Sequence, residues 1–239
     1  DVLLCRAPVA LTDDLRRKIS VFTNVEEEAV VSAYDIKTTI YDIPLSFYRQ
    51  QLDEIVLRKL HMPLHETDLG AWEHVSRAFR HAEHTVRIGF VGKYIDLNDA
   101  YKSVDEALFH GGIANGVRVE LVKIDSEELE READLDRIFD DIDGILVPGG
   151  FGSRGVQGMI NTARWARENN VPYFGICLGM QVMVIEYARN VMGMPGADST
   201  EFTPETSDPV VSLLEEQVNV KNYGGTMRLG ANDTLLYEG

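Results

Sequence analysis

From residue 85 to residue 191 the sequence alternates between short apolar runs and longer amphipathic stretches. The apolar runs are typical of β-strands, and the amphipathic stretches have the 3.6-residue period of α-helices. The predicted strands are 86–91, 117–124, 144–147 and 171–176. The predicted helices are 98–110, a short helix around 135, 155–169 and 180–191. The alternation predicts the α/β class, with a mostly parallel sheet flanked by helices and ligands at the carboxyl ends of the strands.

The residues before this region have a different character. Residues 1–60 mix helical and strand patterns, with a helix predicted over 13–22, a β-branched run at 29–31 and a helical pattern from Pro44 to Leu60. Residues 61–84 are rich in histidine and other polar residues, and Pro63 and Gly70 interrupt them. We interpret 61–84 as a linker with a short helix over 72–79, followed by a second domain over 85–239.

Charge and composition exclude several classes of protein. The 239 residues carry 23 Lys and Arg against 39 Asp and Glu, a net charge of −16, whereas DNA- and RNA-binding proteins need basic surfaces. A small nucleotide pocket is still compatible with this balance. No apolar run approaches the roughly 18 residues of a membrane helix, so we expect no membrane association. The two cysteines, Cys5 and Cys177, cannot form a disulfide framework, which suggests the reducing cytoplasm.

The sharpest motif is Gly175-Ile176-Cys177-Leu178-Gly179, which joins a predicted strand to a predicted helix. In such an elbow the nucleophile sits in a strained turn, and small residues two positions on either side avoid steric collision. The helix N-terminus favours the thiolate, and the N–H of Leu178 would face a developing oxyanion. A lone cysteine is more often an inert core residue, but this context favours Cys177 as a nucleophile.

A second glycine-rich loop, Pro148-Gly149-Gly150-Phe151-Gly152, follows the preceding strand. Its free N–H groups could approach a ligand or a tetrahedral intermediate, so beside an elbow it is a candidate oxyanion wall. Neither loop has the spacing of a P-loop or of a dinucleotide fingerprint.

No histidine follows Cys177 in this sequence. A cysteine nucleophile needs a base, usually histidine. Either the protein is not a Cys-His enzyme, or the base lies in a stretch that this sequence does not contain.

Several of these stretches resemble the class I glutamine amidotransferases, and among them the CTP synthase family. The class-wide stretches are PGGFG at 148–152, GICLGMQ at 175–181 and STEF at 199–202. Those similar to CTP synthases are VGKY at 91–94, DAYKSV at 99–104 and GGTMRLG at 224–230. The start, DVLLCR at 1–6 and FTNV at 22–25, resembles the end of that family's synthetase domain, a second α/β nucleotide-binding domain.

The resemblance implies that Cys177 hydrolyses glutamine and that the ammonia reaches a synthetase domain, where it aminates UTP phosphorylated by ATP. It also implies that Gly150 lies at the oxyanion site and that Glu201 holds the α-amino group of glutamine. The other residues that it assigns to the glutamine pocket are Phe151, Leu178, Gly179, Met180 and Gln181.

The resemblance extends to nucleotides. It implies that Lys18 binds UTP or CTP beside Phe22, and that Tyr34-Asp35-Ile36 surround the adenine of ATP. It places the activator GTP near Phe151 and Arg228. Mg²⁺ would bind in the synthetase part that precedes residue 1 in the family, with no metal ligand in this sequence, and the intact enzyme is expected to be a homotetramer.

Two family features are absent from the sequence: the His-x-Glu pair that completes the triad, and the ATP loop of the synthetase domain. We therefore expect a fragment, 1–60 from the synthetase domain and 85–239 from an incomplete amidotransferase domain, that hydrolyses glutamine poorly as it stands. Two alternatives stay open: an amidotransferase that serves another ligase, and a non-catalytic module for regulation or oligomerisation.

Overall fold

The computed structural model describes residues 1–97, 99–131 and 134–212. The chain divides into two compact units. One comprises Asp1–His84 with His110–Arg118, and the other comprises Thr85–Phe109 with the residues from Val119 onwards.

The first unit is built on two parallel strands, β1 (Leu3–Ala7) and β2 (Val30–Tyr34). Helix α1 (Asp13–Thr23) connects them and begins where the hydroxyl of Thr12 accepts a hydrogen bond from the N–H of Leu15, as expected for a good N-cap. A small apolar core gathers around β2. Its buried members are Val25, Ala29, Val30, Val31 and Ile55.

The helical pattern that we predicted from Pro44 to Leu60 forms two helices, α2 (Ile43–Arg49) and α3 (Leu52–Lys59). They separate at Gln51, whose φ of 57° no helix allows. The side chain of Gln50 accepts a hydrogen bond from the N–H of Ser32 and donates one to its carbonyl. This side chain thereby satisfies the backbone of β2. The predicted helical pattern is confirmed, with a break at Gln51. Helix α4 (Gly70–Arg80) contains the predicted 72–79.

A four-stranded sheet forms the centre of the second unit. Its strands lie in the order β4-β3-β5-β6, and β3, β5 and β6 are parallel to one another. The strands are β3 (His84–Gly92), β4 (Val117–Asp125), β5 (Gly144–Val147) and β6 (Tyr173–Gly175). A two-stranded parallel pair, β7 (Ala197–Ser199) and β8 (Asp208–Val211), follows. The predicted parallel sheet flanked by helices is confirmed.

The helices of this region are α5 (Lys102–Ala114), α6 (Leu135–Ile138), α7 (Val156–Glu168) and α8 (Leu178–Asn190). The prediction for α5 was wrong at both ends. The helix starts four residues later than we expected and passes through Gly111 and Gly112, because glycine in a helix costs only about 1 kcal/mol. It stops before Gly116, whose φ of +67° breaks the helical backbone.

The larger core lies between the sheet and helices α7 and α8. Fully buried side chains such as Phe139, Leu129, Met159, Leu178 and Ile185 fill it. Glu186 is also buried, and Arg167 pairs with it through three hydrogen bonds of 2.8–3.1 Å. Within the described ranges, no helix has the length and apolarity to cross a membrane.

Candidate active site

Cys177 occupies the turn between β6 and α8 and is the N-cap residue of that helix. Its backbone has φ 55° and ψ −107°, a strained conformation for a residue with a side chain. The carbonyl of Cys177 accepts the first helical hydrogen bond, from the N–H of Gln181 at 3.1 Å. Cys177 is exposed, so the turn presents this cysteine to solvent at the N-terminus of α8.

The two elbow glycines are required by backbone contacts. A Cβ on Gly175 would lie 2.4 Å from the carbonyl carbon and oxygen of Gly179, and a Cβ on Gly179 would lie 1.9 Å from the carbonyl oxygen of Val147. The hydroxyl of Tyr173 donates to the carbonyl of Gly179 at 2.9 Å, and burial raises the pKa of this phenol. The expected collision of larger residues at these positions is confirmed.

The glycine-rich loop at 148–152 lies against the elbow. A Cβ built on Gly149 would be 3.4 Å from Cβ and 3.8 Å from Sγ of Cys177, and one built on Gly150 would be 3.4 Å from Cδ2 of Leu178. Strands β5 and β6 are parallel neighbours, so their carboxyl ends bring the two loops together. The fold thus places the backbone of Gly149 and Gly150 within a few ångströms of Cys177 and Leu178.

Lys93 directly follows β3 and holds this loop. No role in the site was predicted for it from the sequence. It is only 2% exposed. Its Nζ donates hydrogen bonds to the carbonyl of Phe151, at 3.2 Å, and to the carbonyl of Gly152. The signal in the sequence was a lysine directly after an apolar strand, but its partners lie 58 and 59 residues away.

Glu201 contacts the same loop. Its Oε1 accepts a hydrogen bond of 2.9 Å from the N–H of Gly152. The peptide group between Phe151 and Gly152 is therefore held at its carbonyl by Lys93 and at its N–H by Glu201. We call this arrangement of Lys93, Glu201 and the 151–152 peptide the peptide clamp.

Burial lowers the pKa of Lys93 to about 8, and the charge of Glu201 partly opposes this effect. Arg154 lowers the pKa slightly further, and Glu130 raises it slightly. The ammonium is thus charged at neutral pH, and it loses its proton at a much lower pH than an exposed lysine does.

Two residues outside β3 contact the backbone of Lys93: Tyr101, just before α5, and Arg154, just before α7. The hydroxyl of Tyr101 accepts hydrogen bonds from the N–H groups of Lys93 and Tyr94, at 3.2 and 3.3 Å. Arg154 donates to the carbonyl of Lys93, pairs with Glu127 and lies 5.9 Å from the ring centroid of Tyr94. These contacts fix the backbone from which the lysine side chain extends.

The structure brings together most of the residues proposed for glutamine. Leu178 and Gly179 are buried, Gly150, Phe151, Gln181 and Glu201 are half-buried, and Met180 is exposed. Arg228, proposed for GTP, lies outside the described residues. Among those residues no group of three or more His, Cys, Asp or Glu side chains could hold a metal ion.

The proposed nucleotide residues of the first unit occupy two places. Tyr34, Asp35 and Ile36 line a cavity of about 320 Å³ with Arg6, which pairs with Asp35. The other lining residues are Ser32, Ala33, Ile40, Ile43, Ser46 and Phe47. Lys18 and Phe22 lie on α1, both exposed, Phe22 at 88%. They are not part of this cavity.

Comparison with known families is consistent with this geometry. The sequence profile "Glutamine amidotransferase class-I" matches residues 96–239, more than half of the chain. The chain therefore belongs to the class-I glutamine amidotransferases. A second profile, "CTP synthase N-terminus", matches residues 1–62.

Curated relatives narrow the family. The chain is 49% identical to a CTP synthase of Aquifex aeolicus, over 97% of this chain and 43% of that protein. It is 48% identical to a CTP synthase of Hydrogenobaculum, over 100% of this chain and 43% of that protein. It is 49% identical to a CTP synthase of Geobacter sulfurreducens, over 100% of this chain and 44% of that protein. Within the class, the chain belongs to the CTP synthase family. It spans less than half the length of these relatives.

One solved structure shares the fold. The glutaminase domain of Trypanosoma brucei CTPS with bound acivicin matches with a TM-score of 0.52 and 48% identity. The match covers 54% of this chain and 50% of that one.

Proposed function

We propose that this chain contributes the glutamine-hydrolysing centre of a CTP synthase, with Cys177 as the nucleophile. The observation that carries the proposal is the exposed cysteine at the strained elbow, beside Gly149 and Gly150 of the 148–152 loop. The activity is proposed for a protein of the relatives' full length, since the chain spans less than half of it.

In the proposed reaction, Sγ of Cys177 attacks the side-chain carbonyl carbon of glutamine. The C–N bond breaks, and the nitrogen leaves as ammonia with the proton given up by the thiol. Water then adds to the thioester carbon, the C–S bond breaks, and glutamate and the free thiol are released. Negative charge develops on the carbonyl oxygen, where the N–H of Leu178 and the loop at Gly150 would stabilise it. Glu201, half-buried at the same loop, would pair with the substrate ammonium, which needs a fixed anion. Leu178, Gly179, Met180 and Gln181 would line the rest of the pocket.

The ammonia would aminate UTP activated by ATP in the synthetase part. The cavity lined by Tyr34, Asp35 and Ile36 supports an ATP site, because its lining combines apolar side chains with a few polar ones, as small-molecule pockets do. We propose adenine as its occupant. Lys18 and Phe22 are proposed for UTP or CTP, and their exposure on α1 leaves them accessible.

Further properties of the whole enzyme are part of the proposal. We propose residues 1–60 as the end of the synthetase domain, 61–84 as the linker and 85–239 as amidotransferase. GTP would act near Phe151 and Arg228, Mg²⁺ would accompany ATP in the synthetase part, and the enzyme would be a cytoplasmic homotetramer that binds no DNA or RNA.

The test replaces Cys177 with alanine in a protein of the relatives' full length. Glutamine-dependent CTP formation should fall at least roughly 1,000-fold, whereas ammonia-dependent formation should be retained, because only the supply of ammonia is lost. Cys5→Ala is the matched control and should retain both. Loss of both activities by a folded Cys177→Ala protein would contradict the assignment.

Two other functions make different predictions. An amidotransferase for another ligase would hydrolyse glutamine but would not aminate UTP, and the profile match of residues 1–62 argues against it. A non-catalytic module would release no ammonia from glutamine. Assays of ammonia release and of UTP amination on the same preparation separate all three.

A further inference from the structure

We propose that Lys93 is a positioning residue for the oxyanion loop, and that glutamine hydrolysis requires its side chain to be protonated so that it holds the 151–152 peptide. The inference rests on the proposed glutaminase function and adds a residue and a control by pH to that site.

The peptide clamp fixes an entire plane of the loop. Because a peptide group is planar, holding the carbonyl of Phe151 from Lys93 and the N–H of Gly152 from Glu201 leaves that plane no freedom to rotate. A second bond from Lys93 to the carbonyl of Gly152 fixes the next plane. Gly152, whose φ is +75°, is a position at which the chain could otherwise move easily.

The clamp acts on the part of the loop beside Cys177. A Cβ on Gly150 would lie 3.3 Å from Cδ of Lys93 and 3.4 Å from Cδ2 of Leu178. The stem of the lysine and the side chain of Leu178, the residue that follows the nucleophile, therefore both pack against Gly150. The orientation of the Gly150 backbone toward the reaction centre depends on both neighbours.

Burying an amine costs free energy, so a buried lysine is expected to support a loop only where its positive charge strengthens the hydrogen bonds that it donates. The carbonyls of Phe151 and Gly152 accept hydrogen bonds, so they need a donor, and an ammonium gives them stronger bonds than a neutral amine does. The charged and titratable groups that act on Lys93 are Glu201, Glu130 and Arg154, and the hydroxyl of Tyr101 contacts its backbone. Of these, only the two glutamates favour the charged form.

The sign of the pH effect follows from the lowered pKa of about 8. Below this pH the ammonium keeps both carbonyls bound, and above it the amine loses its charge and the clamp weakens. The kcat/KM for glutamine, which reports ionisations of the free enzyme, should therefore decrease as the pH rises through about 8.

The experiment compares Lys93→Met and Lys93→Arg in a protein of the relatives' full length. Lys93→Met keeps the apolar stem but removes the donor, and kcat for glutamine should fall by up to about 100-fold, the scale of a small misplacement. Its ammonia-dependent CTP formation should stay unchanged. Lys93→Arg keeps a permanent charge, so it should recover part of kcat and move the alkaline decrease to higher pH.

Lys123→Met is the matched control. The Nζ of Lys123 also donates a hydrogen bond, but its acceptor is the carboxylate of Asp105, at 2.8 Å, and not a carbonyl of the loop. This variant should keep the wild-type kcat and pH profile. Ammonia-dependent activity shows that the synthetase part of each variant is folded, and the partial recovery by Lys93→Arg shows that the amidotransferase part is.

Two results would overturn the inference: a Lys93→Met variant with wild-type kcat for glutamine, or a Lys93→Arg variant whose alkaline decrease stays at the wild-type pH. Failure of the proposed function looks different, because the wild-type protein would then release no ammonia from glutamine.

Discussion

The two loops that meet at Cys177 are held in different ways. The elbow at 175–179 is held by its own backbone and its neighbours: its glycines leave less than 2.5 Å for a Cβ before the carbonyl groups of Gly179 and Val147. The loop at 148–152 is held by side chains from elsewhere in the chain, Lys93 and Glu201. A rigid turn carries the proposed nucleophile, and an adjustable loop carries the proposed oxyanion site.

The difference shows which part of such a site can respond to pH or to a charged ligand. Close backbone packing does not depend on charge, so the position of the elbow should be insensitive to pH. The loop depends on two ionisable side chains, so its position can respond to protonation and to a charged ligand. Changes to the elbow should therefore affect stability, and changes to the clamp should affect substrate binding and turnover.

The largest effect on stability is expected for Gly179→Ala. The new Cβ would lie 1.9 Å from the carbonyl oxygen of Val147, and strand β5 cannot move without disturbing the sheet. The free energy of unfolding should fall by about 3 kcal/mol, near the upper end for overpacking. Urea denaturation measures it, and an unchanged midpoint would contradict the rigid elbow.

A smaller effect, on the binding of glutamine and not on stability, is expected for Glu201→Gln. The amide oxygen can still accept from the N–H of Gly152, but the proposed anion for the substrate ammonium is gone. The KM for glutamine should rise roughly 10- to 100-fold, the equivalent of a charged hydrogen bond. Steady-state kinetics with glutamine and with ammonia separate the two substrates.

The same variant tests the coupling within the clamp. Glu201 raises the pKa of Lys93, so its neutralisation should move the alkaline decrease in kcat/KM to lower pH. A Glu201→Gln protein with unchanged KM and an unchanged pH profile would separate Glu201 from the clamp.

The smallest effect is expected for Gly150→Ala. Its Cβ would meet the side chains of Lys93 and Leu178 at 3.3 and 3.4 Å, and side chains can shift by the few tenths of an ångström required. Stability should change by about 1 kcal/mol, less than for Gly179→Ala. Thermal unfolding of the two variants side by side checks the order, and the reverse order would contradict the proposed difference between the loops.

The elbow could be predicted from the sequence because all of its determinants lie within five residues. Glycines two positions on either side of Cys177, an apolar run before it and an amphipathic run after it are visible without any structure. The clamp could not be predicted, because its members come from the ends of different elements and meet only when β3 and β5 pair. A buried lysine looks the same in sequence as an exposed one.

The sheet was predictable for a similar reason, and the helix limits were not. Strand β5 is buried throughout, so its apolar run marks it fully. Helix α5 ends where the φ of Gly116 becomes positive, and glycines inside the helix gave a false end at Gly111. The break between α2 and α3 lies at Gln51, whose φ is positive, and no glycine or proline marks it in the sequence.

Labelling of Cys177 tests the central claim most directly. A protein of the relatives' full length is incubated with a glutamine-analogue electrophile, and the modified peptide is identified by mass spectrometry, with Cys5 as the internal control. We expect one adduct per chain, on Cys177, and slower labelling in excess glutamine. An adduct on Cys5 at the same rate, or labelling of Cys177 that glutamine does not slow, would contradict a glutamine-specific nucleophile at the elbow.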